Sequence, residues 1–196
     1  MCVIEQGSLN SVEQGTLTRL PPAPPQFLNI GSSYNTKPES IGWVNFDLLA
    51  LQGVGVQGDA NILPFKDSSF LEVNLEHVYE HIPEPLALME EVYRVCKHEA
   101  MVTIRCPYYR HMDAFGDPGH VHAINEQSFI YLLDSHYGNR TRMSQYEHKF
   151  RFKTKAQLKI KDIQYNHPMF EKYEDIIWGV TREIVCMLTA IKPEEN

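Results

Sequence analysis

The chain has 196 residues, 43% of them apolar and 22% charged, so it can bury the core of one ordinary domain and is neither disordered, collagen-like nor low-complexity. Eighteen Lys and Arg against 25 Asp and Glu give a net charge of -7, which disfavours general binding to nucleic acid or anionic membrane. No apolar run approaches the roughly 18–20 residues that cross a bilayer.

The first stretch is polar and ends in Pro21-Pro22-Ala23-Pro24-Pro25. Serial prolines continue neither a helix nor a central strand. Residues 1–26 therefore read as an N-terminal arm or linker with at most one short element around Val12–Leu20. Residues 27–196 read as a single domain. Met1 to Asn10 carries no basic n-region or long apolar h-region, so no secretion signal is visible. Cys2, Cys96, Cys106 and Cys186 are scattered without a CxxC pair, which fits reduced thiols and a cytoplasmic location.

From Phe27 the punctuation is regular. Phe27–Ile30 is a short apolar run stopped by Gly31-Ser32-Ser33, and Trp43–Phe46 is a second run stopped by Asp47. Asn61–Phe65 follows Gly58-Asp59-Ala60, and Phe70–Leu75 is a third strand candidate, followed by Glu76-His77. Pro85 to Lys97 reads as a helix, because Leu86, Met89, Val92, Tyr93 and Cys96 recur at helical spacing and Pro85 suits a first turn. Glu90 and Arg94 are placed to pair on its outer face. Met101–Cys106 is a strand stopped by Pro107. Beyond a polar, His-rich loop over Tyr108–Asn125, residues Gln127–Ser135 look helical. Lys149–Lys161 alternates basic and apolar residues at the period of a strand, and Glu183–Ile191 reads as a last, mostly buried strand. Strands separated by loops or helices predict an α/β, Rossmann-like, mostly parallel sheet flanked by helices.

In such sheets ligands bind outside the carboxyl ends of the strands, so the turns are informative. Gly31 at a strand end lets a ligand approach the backbone closely. Asp47, sixteen positions later, can accept from ribose hydroxyls at roughly the spacing of a nucleotide-binding unit. Asp59, one strand further, can accept from an exocyclic amine. Each alone is an ordinary turn or cap; the ordered series describes a cradle for an adenosine. No GxGxxG is present, and Tyr34–Gly42 is too short and too rich in Pro and Gly for a full crossover helix, the usual seat of a pyrophosphate. A nucleoside cofactor without phosphates fits better than a dinucleotide.

Leu28-Asn29-Ile30-Gly31, Gly42–Asp47, Gly58-Asp59-Ala60-x-x-Leu63-Pro64-Phe65, His77-Val78-Tyr79-Glu80-His81, Glu91–Val95 and Asp117-Pro118-x-His120-Val121 stand in this order. With them the chain resembles the class I S-adenosylmethionine-dependent methyltransferases, in a short-motif branch of small bacterial and phage-type enzymes. The resemblance spans about Phe27–Leu132 and faintly the last strand. It implies that Gly31, Ser32 and Ser33 face the methionine part of S-adenosylmethionine, that Asp47 holds the ribose, that Asp59 and Ala60 take the adenine, and that Glu76 and His77 line the reacting end. The family's first motif commonly reads Gly-x-Gly, whereas Ser33 adds a Cβ here, which implies a narrower pocket or weaker cofactor binding. The usual helical segment before the first strand is replaced by the proline-rich arm, leaving substrate access open or completed by a partner chain.

Three further groups have competing readings. His77-Val78-Tyr79-Glu80-His81 matches HxxEH, in which two imidazoles bind zinc, but Pro83 and Pro85 leave no room for the long helix that motif needs, so a capped turn is favoured and no metal is assigned. His111, Asp113, Asp117, His120 and His122 form either a structural loop, a metal site or an acceptor-side base cluster. Within it His120 and Asp117 are the catalytic candidates, because they stand in a motif of the family. Residues 139–161 hold eight Lys and Arg and one acid, Glu147. They form either a lysine-protected edge strand or a face that recruits an anionic substrate.

The resulting expectation is methyl transfer from S-adenosylmethionine to an acceptor of small-molecule or sugar type rather than nucleic acid, with a homodimer suggested by exposed edges and the detached arm. The rival is a non-catalytic module that keeps the sheet and binds or regulates a partner.

Overall fold

A computed structural model describes residues 24–133, 151–161 and 178–193. Seven strands form one sheet: β1 (Phe27–Ile30), β2 (Trp43–Asp47), β3 (Val56–Gln57), β4 (Phe70–Glu76), β5 (Cys96–Pro107), β6 (Phe152–Lys161) and β7 (Thr181–Ala190). Their spatial order is β3-β2-β1-β4-β5-β7-β6. β1 to β5 run parallel, and β7 pairs antiparallel with both β5 and β6. The order reverses between β1 and β4, which is where open sheets of this kind leave a crevice for a ligand.

Among the described residues the helical cover is thinner than the sequence predicts. Among the described residues one α-helix exceeds a single turn, α1 (Pro85–Val95), with Pro85 in its first turn and Leu88, Met89, Val92, Tyr93 and Val95 buried. α2 (Asp113–Gly116) is one turn, and Glu126–Leu132 is a 3-10 segment closed by reciprocal capping between Asn125 and Ser128. The expected Gln127–Ser135 helix is thus tighter and starts a residue earlier, and its last two residues lie outside the described residues. β3, two residues long, carries no pattern that sequence reading can detect. The arm through Ala23, the Val12–Leu20 element and the basic residues Arg140, Arg142 and Lys149 also lie outside the described residues.

The core lies on both faces of β1, β4 and β5. Leu28, Ile30, Phe46, Val73, Leu75, Val102 and Ile104 are buried with Phe70, Phe129 and Phe152. Where no crossover helix covers β1 and β2, a polar ladder replaces it. Asn29, in register with Asn45 and Asn74, donates to Asn45 Oδ1 (3.1 Å) and accepts from Asn74 Nδ2 (2.9 Å). Asn45 then binds the backbone N–H and C=O of Lys37, and Asn29 Nδ2 also reaches Asn35 O, so the 31–42 loop is pinned onto the sheet. Cys96, Cys106 and Cys186 are free and buried. No described helix is long and apolar enough to cross a membrane.

Candidate functional site

Parallel pairing brings the ends of β1, β2, β3 and β4 to one edge of the sheet. Ile30 pairs with both Phe46 and Leu75, so Gly31, Asp47 and Glu76 leave the sheet side by side. Gly31 turns the chain with φ +64, and a Cβ there would stand 2.1 Å from Val78 Cγ2. Only glycine fits both demands. Asp47, 9% exposed, accepts the backbone amides of Ser33 at Oδ2 (2.8 Å) and Leu49 at Oδ1 (2.9 Å). Asp59 Oδ1 accepts the Asn61 amide at 2.8 Å and so shapes the turn after β3.

These tips line one cavity of about 610 Å³, within the roughly 300–1,000 Å³ of small-ligand sites. Gly31, Ser33, Asp47, Asp59, Ala60 and His77 all face it, so six of the eight expected cofactor residues converge. The other two do not line it. Ser32 is buried, its amide bound to Phe46 O. Glu76 accepts from Asn35 Nδ2. Sequence reading missed the apolar walls: Leu48 and Leu49 on one side, Val78, Ile82 and Pro83 on the other. Their signal was the apolar pair that follows Asp47 directly. Among the described lining residues there is no Lys or Arg, and Asp47 and Asp59 make the cavity suited to a cation.

A second cavity of about 620 Å³ adjoins the first, lined by His77, His81, Pro107, Asp113, Gly116, Asp117, Pro118 and His120. His77 and His81 line both. His77 holds φ +53, a left-handed conformation uncommon for a side-chain-bearing residue and of the kind that concentrates at working sites. Its Nδ1 stands 3.3 Å from Glu80 Oε1 and its Nε2 3.0 Å from Glu183 Oε1. Hydrogen bonding to Glu80, with the charges of Glu80 and Glu183, outweighs burial and raises the pKa of His77 above the ordinary imidazole value. Glu183, nearly buried, is held in turn by Arg105 Nε at 2.9 Å.

Both catalytic candidates face this second cavity. Asp117 Oδ1 caps the Gly119 amide at 2.7 Å, and His120 Nδ1 meets Ala114 O at 3.3 Å. Of the remaining loop residues, Asp113 joins them, whereas His111 is buried and His122 Nε2 binds Ile82 O at 3.0 Å. The HxxEH residues do not form one helix face: Tyr79–His81 is a single 3-10 turn. On α1, Arg94 Nε donates to Glu91 Oε1 at 2.7 Å, and Arg94 also reaches Asp67. Lys153 and Lys155 are exposed on edge strand β6, beyond β5 and β7 from the cavities, and Lys159 pairs with Glu126 at 2.8 Å.

Residues 35–104 match the family described as a methyltransferase domain, from the β1–β2 loop into β5. No curated protein matches the chain. Its fold is shared by solved structures of low identity. A proposed methyltransferase of Bacillus halodurans C-125 is 15% identical with a TM-score of 0.59, covering 86% of this chain and 93% of that one. A SAM-dependent methyltransferase of Archaeoglobus fulgidus is 18% identical with a TM-score of 0.57, covering 84% and 86%. The YcgJ protein of Bacillus subtilis is 14% identical with a TM-score of 0.57, covering 88% and 94%.

Proposed function

We propose that this chain, a class I methyltransferase domain whose methyl donor is S-adenosylmethionine, lays the donor along the tips of β1, β2 and β4 and methylates a hydroxyl or amine of a small, uncharged or cationic molecule in the adjoining cavity. The observation that carries this reading is that His77 and His81 belong to both cavities, so donor and acceptor meet at one wall. The cavity at the tips fits the donor. It is large enough, Gly31 is part of its lining, and it offers carboxylates and no described Lys or Arg to a molecule bearing a positive sulfur.

In this assignment Gly31 and Ser33 face the methionine portion, Asp47 accepts from the ribose hydroxyls with lone pairs not used by Ser33 and Leu49, and Asp59 with Ala60 borders the adenine. Leu48, Leu49, Val78 and Ile82 supply the apolar walls that exclude water. Ser32 and Glu76 act from behind: Ser32 ties the turn to Phe46, and Glu76 holds Asn35. When bound, the donor supplies an already activated methyl group, so the chain's task is alignment and dehydration. Asp117 and His120 stand on the acceptor side as hydrogen-bonding partners of the hydroxyl or amine whose proton must leave. Asp117 puts a carboxylate into that cavity, where Asp113 is paired with Arg182 at 3.1 Å, and the lysines of β6 lie on the far edge of the sheet. This favours a sugar-like or amine acceptor over an anionic one or a nucleic acid.

Calorimetric titration with S-adenosylhomocysteine tests the donor assignment. The wild-type chain is expected to bind one equivalent, and Asp47→Ala is expected to bind at least tenfold more weakly. Absence of binding by the wild type at millimolar concentration overturns the reading.

A further inference from the structure

The wall shared by the two cavities ends on a carboxylate that the methyl transfer does not use. Glu80 is 1% exposed, and no amide, hydroxyl or guanidinium donates to either of its carboxylate oxygens. Its neighbours are His77 Nδ1, at 3.3 Å from Oε1, and the Cys106 thiol. A buried carboxylate so weakly satisfied is costly unless something else binds it.

Beside it, the rings of His81 and His120 meet edge to face with centroids 4.6 Å apart. Each turns Nδ1 to a backbone carbonyl: His81 to Gly119 O at 3.1 Å, His120 to Ala114 O at 3.3 Å. An Nδ1–H donated to a carbonyl leaves the lone pair on Nε2, the arrangement that orients metal-ligating imidazoles. One potential ligand atom from each of Glu80, His81 and His120 lies within 4.8 Å of the others. Around a zinc ion with ligands at roughly 2.0–2.2 Å such atoms are closer than that, so the two partly exposed imidazoles have to draw in by about an ångström.

We propose that Glu80, His81 and His120 form a binding site for a divalent first-row transition ion, Zn²⁺ foremost. Two imidazoles and one carboxylate are the ligand set of open catalytic zinc sites, which keep a further position for water or substrate. His81 and His120 line the acceptor cavity, so that position faces it. The site draws Glu80 and His81 from the HxxEH segment and replaces its first histidine with His120 of the loop, joining two motifs that lie apart in the sequence. The use of the ion, to hold the acceptor's oxygen or nitrogen and lower its pKa in place of a direct contact from His120, rests on the acceptor-cavity reading above; the binding of the ion does not.

The full-length chain, stripped with chelator, is titrated with ZnCl₂ by calorimetry, and its metal content is measured after dialysis. One equivalent is expected for the wild type. His120→Ala, at a partly exposed position, and Glu80→Gln, which preserves volume, are each expected to bind at least tenfold more weakly while retaining S-adenosylhomocysteine binding. A wild type that takes up no stoichiometric zinc, or variants that bind zinc as tightly as the wild type, overturns the proposal. S-adenosylhomocysteine binding without zinc binding removes the metal site and leaves the methyltransferase reading standing; zinc binding without S-adenosylhomocysteine binding does the converse.

Discussion

Ser33 donates its backbone amide to Asp47 Oδ2 at 2.8 Å from a left-handed conformation, φ +42. A side-chain-bearing residue in that region costs about 1–2 kcal/mol relative to its ordinary conformations. Glycine, which has no Cβ, escapes that cost. The hydrogen bond to Asp47 is made by the backbone and survives the exchange. Ser33→Gly is therefore expected to raise stability by up to about 1 kcal/mol. It is also expected to tighten S-adenosylhomocysteine binding, because a Cβ leaves the cavity wall. Thermal melts and calorimetry check the two effects separately; a lower melting temperature contradicts the strain argument.

Gly31 has the opposite expectation. A Cβ there meets Val78 Cγ2 at 2.1 Å, and the backbone is left-handed at φ +64. Conformational strain and overpacking together predict a loss of about 2–4 kcal/mol for Gly31→Ala. The double variant Gly31→Ala/Val78→Ala removes the clash but not the strain, so it is expected to be less destabilised than the sum of its two single variants. Denaturant midpoints of the four proteins measure this coupling.

The strand tips were legible because a parallel sheet sends every carboxyl end to one edge. Once Phe27–Ile30, Trp43–Phe46 and Phe70–Leu75 are read as strands, Gly31, Asp47 and His77 must lie near one another. Which tip residues line the cavity depends on local hydrogen bonds that composition does not carry. The ordered series places Ser32 beside Ser33 and Glu76 beside His77, whereas Ser32 is buried with its amide on Phe46 O and Glu76 is engaged by Asn35. The prolines after His81 favour a capped turn over the HxxEH zinc motif, so its imidazole carries no assigned role in the sequence. The same residue enters the wall by another route, a 3-10 turn that sets it against His120 of a distant loop. The expected Glu90–Arg94 pair shows a similar limit: Arg94 is held by Glu91 and Asp67, a choice that only the packing of the 61–67 loop makes.

The asparagine ladder predicts a further effect. Each of Asn29, Asn45 and Asn74 interrupts an apolar strand at the same level, and in the sequence they look like three unrelated polar residues. Asn29→Leu keeps the branched shape but adds bulk, withdraws one of the two donors to Asn45 Oδ1 and leaves Asn74 Nδ2 without its acceptor. With roughly 1–3 kcal/mol for a buried polar group so stranded and a similar cost for overpacking, the variant is expected to lose about 3 kcal/mol. Asn29 also binds Asn35 O, so hydrogen exchange is expected to quicken in the 31–42 loop before the rest of the sheet. Uniform quickening across all strands contradicts the pinning role.

Acid is expected to loosen the 63–65 segment, which follows the cavity-lining Asn61, through Glu91. Arg94, and then the Leu63 amide at 2.7 Å, hold the Glu91 carboxyl below its ordinary pKa despite partial burial, and Arg94 also donates to Leu63 O and Phe65 O. The folded pKa of Glu91 lies below the unfolded one, so its stabilisation is fully present above the unfolded value of about 4.3. It fades as pH falls through the folded value. Because both side chains are partly exposed, the effect is modest, on the order of 1 kcal/mol. Melting temperatures recorded from pH 7 down to pH 3 are expected to fall less steeply for Glu91→Gln than for the wild type, with the wild type the more stable at pH 7. Parallel curves for the two proteins contradict the assignment of this acid sensitivity to Glu91.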